Sequence, residues 1–214
     1  MGKVKAHVSM SLDGYIAGPE PTLEAPLGRG GERLHEWAFR LESFRRQHGM
    51  PGGETGPDDD VVAEWHGSTG ATIMGRRMFS GGSGPWSEDP NADGWWGDEP
   101  PFHGPVFVLT HHARKTVEKQ GGTSYSFVTE GVDAALERAQ AVAGDRDVEV
   151  GGGADVIGQF LSSRSLDELN VHLVPVLLGS GGVRLLDGVP PTELDLTRVV
   201  ESPYATHVTY RPRR

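Results

Sequence analysis

Between Val4 and Met10 apolar and polar residues alternate, with Val4, Ala6, Val8 and Met10 set against Lys5, His7 and Ser9, and the run stops before Asp13-Gly14. A period of two is the signature of a strand with two unlike faces, and Asp-Gly is a turn pair. The next periodic stretch changes step. From Glu32 to Phe44 the residues Leu34, Trp37, Ala38, Leu41 and Phe44 recur at spacings of three and four, which predicts one helix with an apolar stripe. Gln47 to Asp60 then collects Gly49, Pro51, Gly52, Gly53, Gly56 and Pro57, too much punctuation for a regular element. One of Asp58, Asp59 and Asp60 is expected to cap a short helix running through Trp65.

Ala71 to Met74 is an apolar run ending at Gly75, expected as a buried strand, and Arg76 to Phe79 starts a helical turn. Gly81 to Gly104 has no period and reads as a long surface excursion that borders a ligand site. Strands Val106 to Leu109 and Tyr125 to Val128, helix Asp133 to Val142, strand Val148 to Val150 and helix Ala154 to Leu161 then alternate. That ordering predicts an α/β sheet. A further apolar run from Leu169 to Leu178, a turn over Gly179 to Gly182 and strands Leu194 to Glu201 and Thr206 to Arg211 close the chain with antiparallel strands.

Composition narrows the class. At 214 residues a single domain over 1–214 is the expectation, and 31 glycines with 15 prolines imply many loops. A net charge of -10 argues against nucleic acid and acidic membrane surfaces as partners. The absence of cysteine excludes disulfides, thiolate metal sites and cysteine nucleophiles. With neither a signal-peptide pattern nor a membrane-length apolar run, the chain is expected to be cytoplasmic.

Candidate chemistry clusters at strand ends. Val148 to Ile157 runs from a strand through Gly151-Gly152-Gly153 into a helix that begins Ala154-Asp155-Val156. Glycines allow close backbone approach and a helix start offers free N–H groups, so a pyrophosphate fits there; a tight turn without a ligand is the alternative. Arg76 and Arg77 follow the strand ending at Gly75 and precede Met78. Their guanidinium forks suit a 2′-phosphate, the group that distinguishes NADP from NAD, against the alternative of a solvated pair. Leu109, Thr110 and His111 end another strand where open sheets place ligand contacts. The neighbouring His111 and His112 lack a third ligand at a suitable spacing, so no metal is expected. Asp13 is either a proton donor or substrate contact at the mouth of the site, or the organiser of its own turn. Trp86, Trp95 and Trp96 either wall a pocket or support a subunit contact.

Taken in order, Val8 to Ala17, Met74-Gly75-Arg76-Arg77, Val108-Leu109-Thr110 and Val150 to Gly153 resemble the dihydrofolate-reductase-like superfamily. Leu166 to Gly179 and Gly181 to Leu186 look more like the reductase domain of bacterial bifunctional riboflavin-biosynthesis enzymes and their stand-alone relatives. The resemblance implies a three-layer α/β fold with a mixed, mostly parallel sheet flanked by helices, NADPH as hydride donor, and a homodimer. It places Ile16 and Ala17 beside the nicotinamide, Gly75 to Met78 with Thr110 and His111 around the adenosine phosphates, and Gly151 to Val156 around the pyrophosphate. It also implies a small-molecule substrate, with 5-amino-6-(5-phosphoribosylamino)uracil the family-level candidate. Folate reductases of this fold carry an acidic residue on the first helix, where this chain has Arg33 or Leu34, with Glu32 and Glu36 nearby. Dihydrofolate reduction is therefore the second expectation, and an NADP-binding module without catalysis the third.

Overall fold

The computed structural model describes residues 2–22 and 24–213. In chain order its strands are β1 (Val4–Ser11), β2 (Tyr15–Ala17), β3 (Thr69–Gly75), β4 (Pro105–Leu109), β5 (Val117–Glu118), β6 (Ser124–Val128), β7 (Asp147–Gly152), β8 (Glu168–Val174), β9 (Val183–Arg184), β10 (Leu194–Glu201) and β11 (Thr206–Pro212). The helices are α1 (Glu36–Phe39), α2 (Glu42–Gln47), α3 (Pro57–Ser68), α4 (Arg76–Ser80), α5 (Val132–Ala143) and α6 (Ala154–Ser162). Nine strands form one sheet in the order β10-β11-β8-β1-β7-β3-β4-β6-β5, and β2 pairs with β9 in a separate ribbon. The six central strands, β8 to β6 in that order, are parallel, while β10, β11 and β5 join antiparallel. This is the α/β sheet with antiparallel C-terminal strands that the pattern predicted, and the mixed, mostly parallel sheet that the family resemblance implied.

The expected helix over Glu32 to Phe44 is divided into a 3-10 turn (Gly31–Leu34), α1 and the start of α2. Its apolar stripe is still buried at Leu34, Trp37, Ala38 and Leu41. The break falls at Leu41, which is extended, because the glycine-rich loop returns there: Glu42 N donates to Glu54 O at 3.0 Å and Glu54 N to Arg40 O at 2.8 Å. Backbone partners from a distant loop replace those of a continuous helix. The aspartates also depart from expectation. Gly56 precedes α3 and Pro57 opens it, so no aspartate caps the helix. Asp58 and Asp59 lie in its first turn, buried, and turn toward other elements.

Alternation in β1 sorts the two sheet faces. Val4 and Ala6, with Ile73, Val150, Leu169 and Val171 on the neighbouring strands, pack against Ala135, Ala139, Ile157 and Phe160 of α5 and α6 in the main core. The opposite residues, Lys5, His7, Ser9 and Ser11, share a face with Glu149, Asn170 and His172 by register. That face is not left to water: α1 and α3 cover it, and Ser9, Ser11 and His172 are each no more than 6% exposed.

Candidate active site

The predicted glycines converge at the C-terminal edge of the sheet. Met74 pairs with Gly152 and Gly75 with Leu109, which puts the ends of β7, β3 and β4 in one row. Crowding explains the residue types. A Cβ on Gly75 would lie 3.0 Å from Val156 Cγ2 and 3.6 Å from Gly152 O, and one on Gly151 would lie 3.3 Å from Met78 Cε. Gly152 has φ 116°, a conformation that side chains disfavour. Gly153 precedes α6 without any side-chain cap, and the space where its Cβ would point is open. The first N–H groups of α6 are thus presented beside a backbone that a ligand can approach closely, the geometry that receives a phosphate. Ala154 and Asp155 begin that helix, and the exposed Asp155 carboxylate in its first turn works against an anion.

The two arginines separate. Arg76 turns inward, 6% exposed, with Nη1 2.5 Å from Asp89 Oδ2, a further bond to Ser80 Oγ, and its guanidinium 3.5 Å above the Trp86 ring. Burial lowers its pKa against the opposing pull of Asp89. Asp89 and Ser80 thus take Nη1, while Arg76 Nε and Nη2 are buried without a hydrogen-bond partner. Arg77 is exposed on the first turn of α4. Arg114, which the pattern did not single out, lies on the same Trp86 ring at 5.0 Å and pairs with Asp93. Thr110 is buried, its N–H donating to Val128 O at 3.0 Å and its hydroxyl accepting from His112 N at 3.2 Å, while His111 is exposed. The tryptophans tie the excursion down: Trp86 Nε1 donates to His112 O, and Trp95 and Trp96 both donate to Met78 O.

Asp13 is tied to a distant loop. Its oxygens accept from Leu178 N at 3.2 Å and Gly179 N at 2.8 Å, fastening the loop after β8 to the end of β1. The Ser11 hydroxyl, with those two amides, lowers its pKa below the usual carboxylate value, which disfavours the protonated form that a donor needs. Ile16 and Ala17 lie on β2, with Ile16 packed on the main core and Ala17 paired with Val183.

The covered polar face holds groups that the pattern passed over. Asp58 Oδ1 lies 2.9 Å from His207 Nε2 and accepts from Ser202 Oγ at 2.6 Å; His207 Nδ1 lies 2.8 Å from His172 Nδ1. Trp37 packs on both imidazoles and donates to Ser9 Oγ at 3.0 Å. Burial takes the His172 pKa down to about 3 and pushes that of Glu149 up to about 7. Glu32 and Glu36 are exposed, and the carboxylate that meets the histidines of this face is Asp58. Among the described residues no group of three or more acidic or histidine side chains is arranged to hold a metal ion, and no helix is long and apolar enough to cross a membrane.

Residues 2–208 match the family described as the RibD C-terminal domain. The chain belongs to this family. No curated protein matches the sequence. Among solved structures, a Shewanella sp. PV-4 protein described as a riboflavin biosynthesis protein superposes with a TM-score of 0.64 at 20% identity, over 99% of both chains. The Thermotoga maritima diaminohydroxyphosphoribosylaminopyrimidine deaminase/5-amino-6-(5-phosphoribosylamino)uracil reductase gives 0.55 at 16% identity, over 99% of this chain and 57% of that one. Dihydrofolate reductase of Enterococcus faecalis, solved with NADP(H), gives 0.50 at 16% identity, over 100% and 98%. These likenesses establish a dihydrofolate-reductase-like fold for this RibD-type reductase domain. Its histidines escaped the motif search because His7, His172 and His207 occupy single alternating positions on three strands, and only the sheet register brings them together.

Proposed function

We propose that this RibD-type domain is an NADPH-dependent reductase of a small heterocyclic or sugar-derived substrate, with 5-amino-6-(5-phosphoribosylamino)uracil the first candidate. The observation that carries the reading is the cradle of Gly75, Gly151, Gly152 and Gly153 before the uncapped α6, where side chains on Gly75 and Gly151 would press on Val156 and Met78 and where the space beside Gly153 is open. Gly151 to Val156 would hold the pyrophosphate, Arg77 with Thr110 and His111 the adenosine phosphates, and Ile16 and Ala17 would border the nicotinamide. Bound NADPH supplies a hydride. The chain contributes position and exclusion of water, since holding donor and acceptor in register is the main source of acceleration in such a transfer. Asp13 keeps its structural role in this scheme. Folate reduction draws no support from the first helix, where both glutamates face solvent.

The test is NADPH consumption with 5-amino-6-(5-phosphoribosylamino)uracil and, separately, with dihydrofolate. Turnover with the first and not the second is expected. Tight NADPH binding without turnover of any reducible heterocycle would reduce the chain to a cofactor-binding module.

A further inference from the structure

The excursion after α4 returns two aspartates to two arginines near the C-terminal ends of β3 and β4, and the two pairs are unlike. Arg76 and Asp89 are closed off together, with side chains 6% and 3% exposed. Arg114, in the loop after β4, pairs with Asp93, whose side chain is 73% exposed against 21% for the arginine. Parting a buried pair strands a charge, whereas a pair open to water on one side is held weakly and can exchange partners. Both guanidiniums rest on Trp86, and Trp86 Nε1 donates to His112 O, in the same loop as Thr110 and Arg114.

Arg114 has more donors than Asp93 uses. Its Nη2 donates to Asp93 Oδ1, while its Nη1 is buried and has no hydrogen-bond partner among the described residues. Arg76 Nε and Nη2, against the same indole, are in the same condition. Donors on a charged group are costly to leave unmatched, so three of them around one ring mark a place for an acceptor with several oxygens. The way in is on the Asp93 side, where the carboxylate faces water. A guanidinium fork matches a phosphate with two parallel bonds, and Arg114 presents one prong filled by a carboxylate and one empty.

We propose that Asp93 is an internal competitor for Arg114: its carboxylate occupies the guanidinium in the nucleotide-free chain and gives way to the 2′-phosphate of NADP but not to a ribose hydroxyl. The link to this ligand rests on the reductase reading, which puts the adenosine phosphates beside Thr110 and His111. A phosphomonoester carries a charge of about −1.5 to −2 at pH 7 and three acceptor oxygens, against the single charge of Asp93. It therefore displaces the carboxylate and fills both Nη1 and Nη2. A neutral hydroxyl leaves the pair in place. Asp93 thus sets specificity by exclusion, penalising every ligand too weakly charged to part it from Arg114.

The experiment is titration calorimetry on the full chain with NADP and, as the control that lacks the 2′-phosphate, NAD. Asp93→Asn, which keeps the shape and removes the charge, is expected to tighten NADP by about fivefold, the worth of a partly exposed ion pair that no longer has to be broken. NAD binding is unchanged. Arg114→Gln weakens NADP by about tenfold, as the loss of a charged donor requires, and in that background Asp93→Asn has no further effect, because the two residues act as one. A tie that only fastens the loop predicts otherwise: a lower melting temperature for Asp93→Asn and no tighter binding. Unchanged or weaker NADP binding in Asp93→Asn, equal tightening of the two nucleotides, or an Asp93→Asn effect that persists without Arg114 overturns the proposal. Should Arg114→Gln fail to fold, Asp93→Asn with the two nucleotides still decides. No binding of either nucleotide to any of these chains sinks the reductase reading and this proposal together. NADP binding that Asp93→Asn does not alter sinks the proposal alone, and tightening by Asp93→Asn in a chain that reduces no substrate sinks the reading alone.

Discussion

The face of the sheet under α5 and α6 presents Ala6, Ile73, Val150 and Val171 to Ile157 and Phe160, without a polar side chain among them. The face under α1 and α3 presents His7, Ser9, Asn170 and His172 to Trp37, Trp65 and Asp58. Both are buried and both rise from the same alternating strands. Apolar contacts are non-directional and tolerate small adjustments, whereas each polar atom on the second face needs a partner at a fixed distance. A chain that keeps such a face covered by helices accepts a stability cost that an apolar face would avoid.

The comparison predicts a ranking of effects. Phe160→Ala, on the apolar side, should lower unfolding free energy by about 3–5 kcal/mol in denaturant titrations, since it removes a fully buried ring. A milder loss would show that α6 collapses to fill the space. Arg76→Ala should cost about 3 kcal/mol, because it strands Asp89, whose side chain is 3% exposed. That loss would establish Arg76 as structural; weaker NADPH binding at unchanged stability would restore it to the phosphate site. Asp58→Ala should cost about 1–3 kcal/mol by leaving His207 Nε2–H and the Ser202 hydroxyl unsatisfied. Arg77→Ala should leave the melting temperature of the free protein unchanged while weakening NADPH roughly tenfold, about 1.4 kcal/mol, and NADH not at all.

The last comparison is in pH dependence, to which the polar face contributes two oppositely shifted groups. The pKa of Glu149 is raised from 4.5 to about 7, so its contribution to stability is complete below about pH 4.5 and is lost as pH rises through 7. The pKa of His172 is lowered from 6.5 to about 3, so its contribution holds above 6.5 and is lost as pH falls toward 3. Melting temperatures of Glu149→Gln should therefore decline less between pH 5 and 8 than those of the parent, while the acid limb persists. An identical alkaline slope in both proteins would contradict this assignment.

Much of the architecture was legible because its signals are local. The alternation of β1, the runs ending at Gly75 and Leu109, and the strand-glycine-helix unit at 147–162 each carry their own period or breaker. What escaped depends on partners far along the chain. The kink at Leu41 is made by Glu54, and the two-residue β9 exists only through its pairing with β2. Alternation in β1 reads the same whether its polar side meets water or a helix, so nothing in that segment announces that Ser9 and Ser11 are sealed. The glycine cradle was legible in sequence as a cluster of residue types. The division of labour between Arg76 and Arg77 was not, because it depends on where Asp89 and Trp86 return from the excursion.

Thermal unfolding of the full chain with saturating NADPH, NADP and NADH tests the central claim most directly, since selective binding to the folded state raises its melting temperature. At a hundredfold excess over Kd the account predicts about 2.7 kcal/mol of added stability from NADPH or NADP, little from NADH, and a marked reduction of the NADPH effect in Arg77→Ala. No shift with any of the three nucleotides would contradict it.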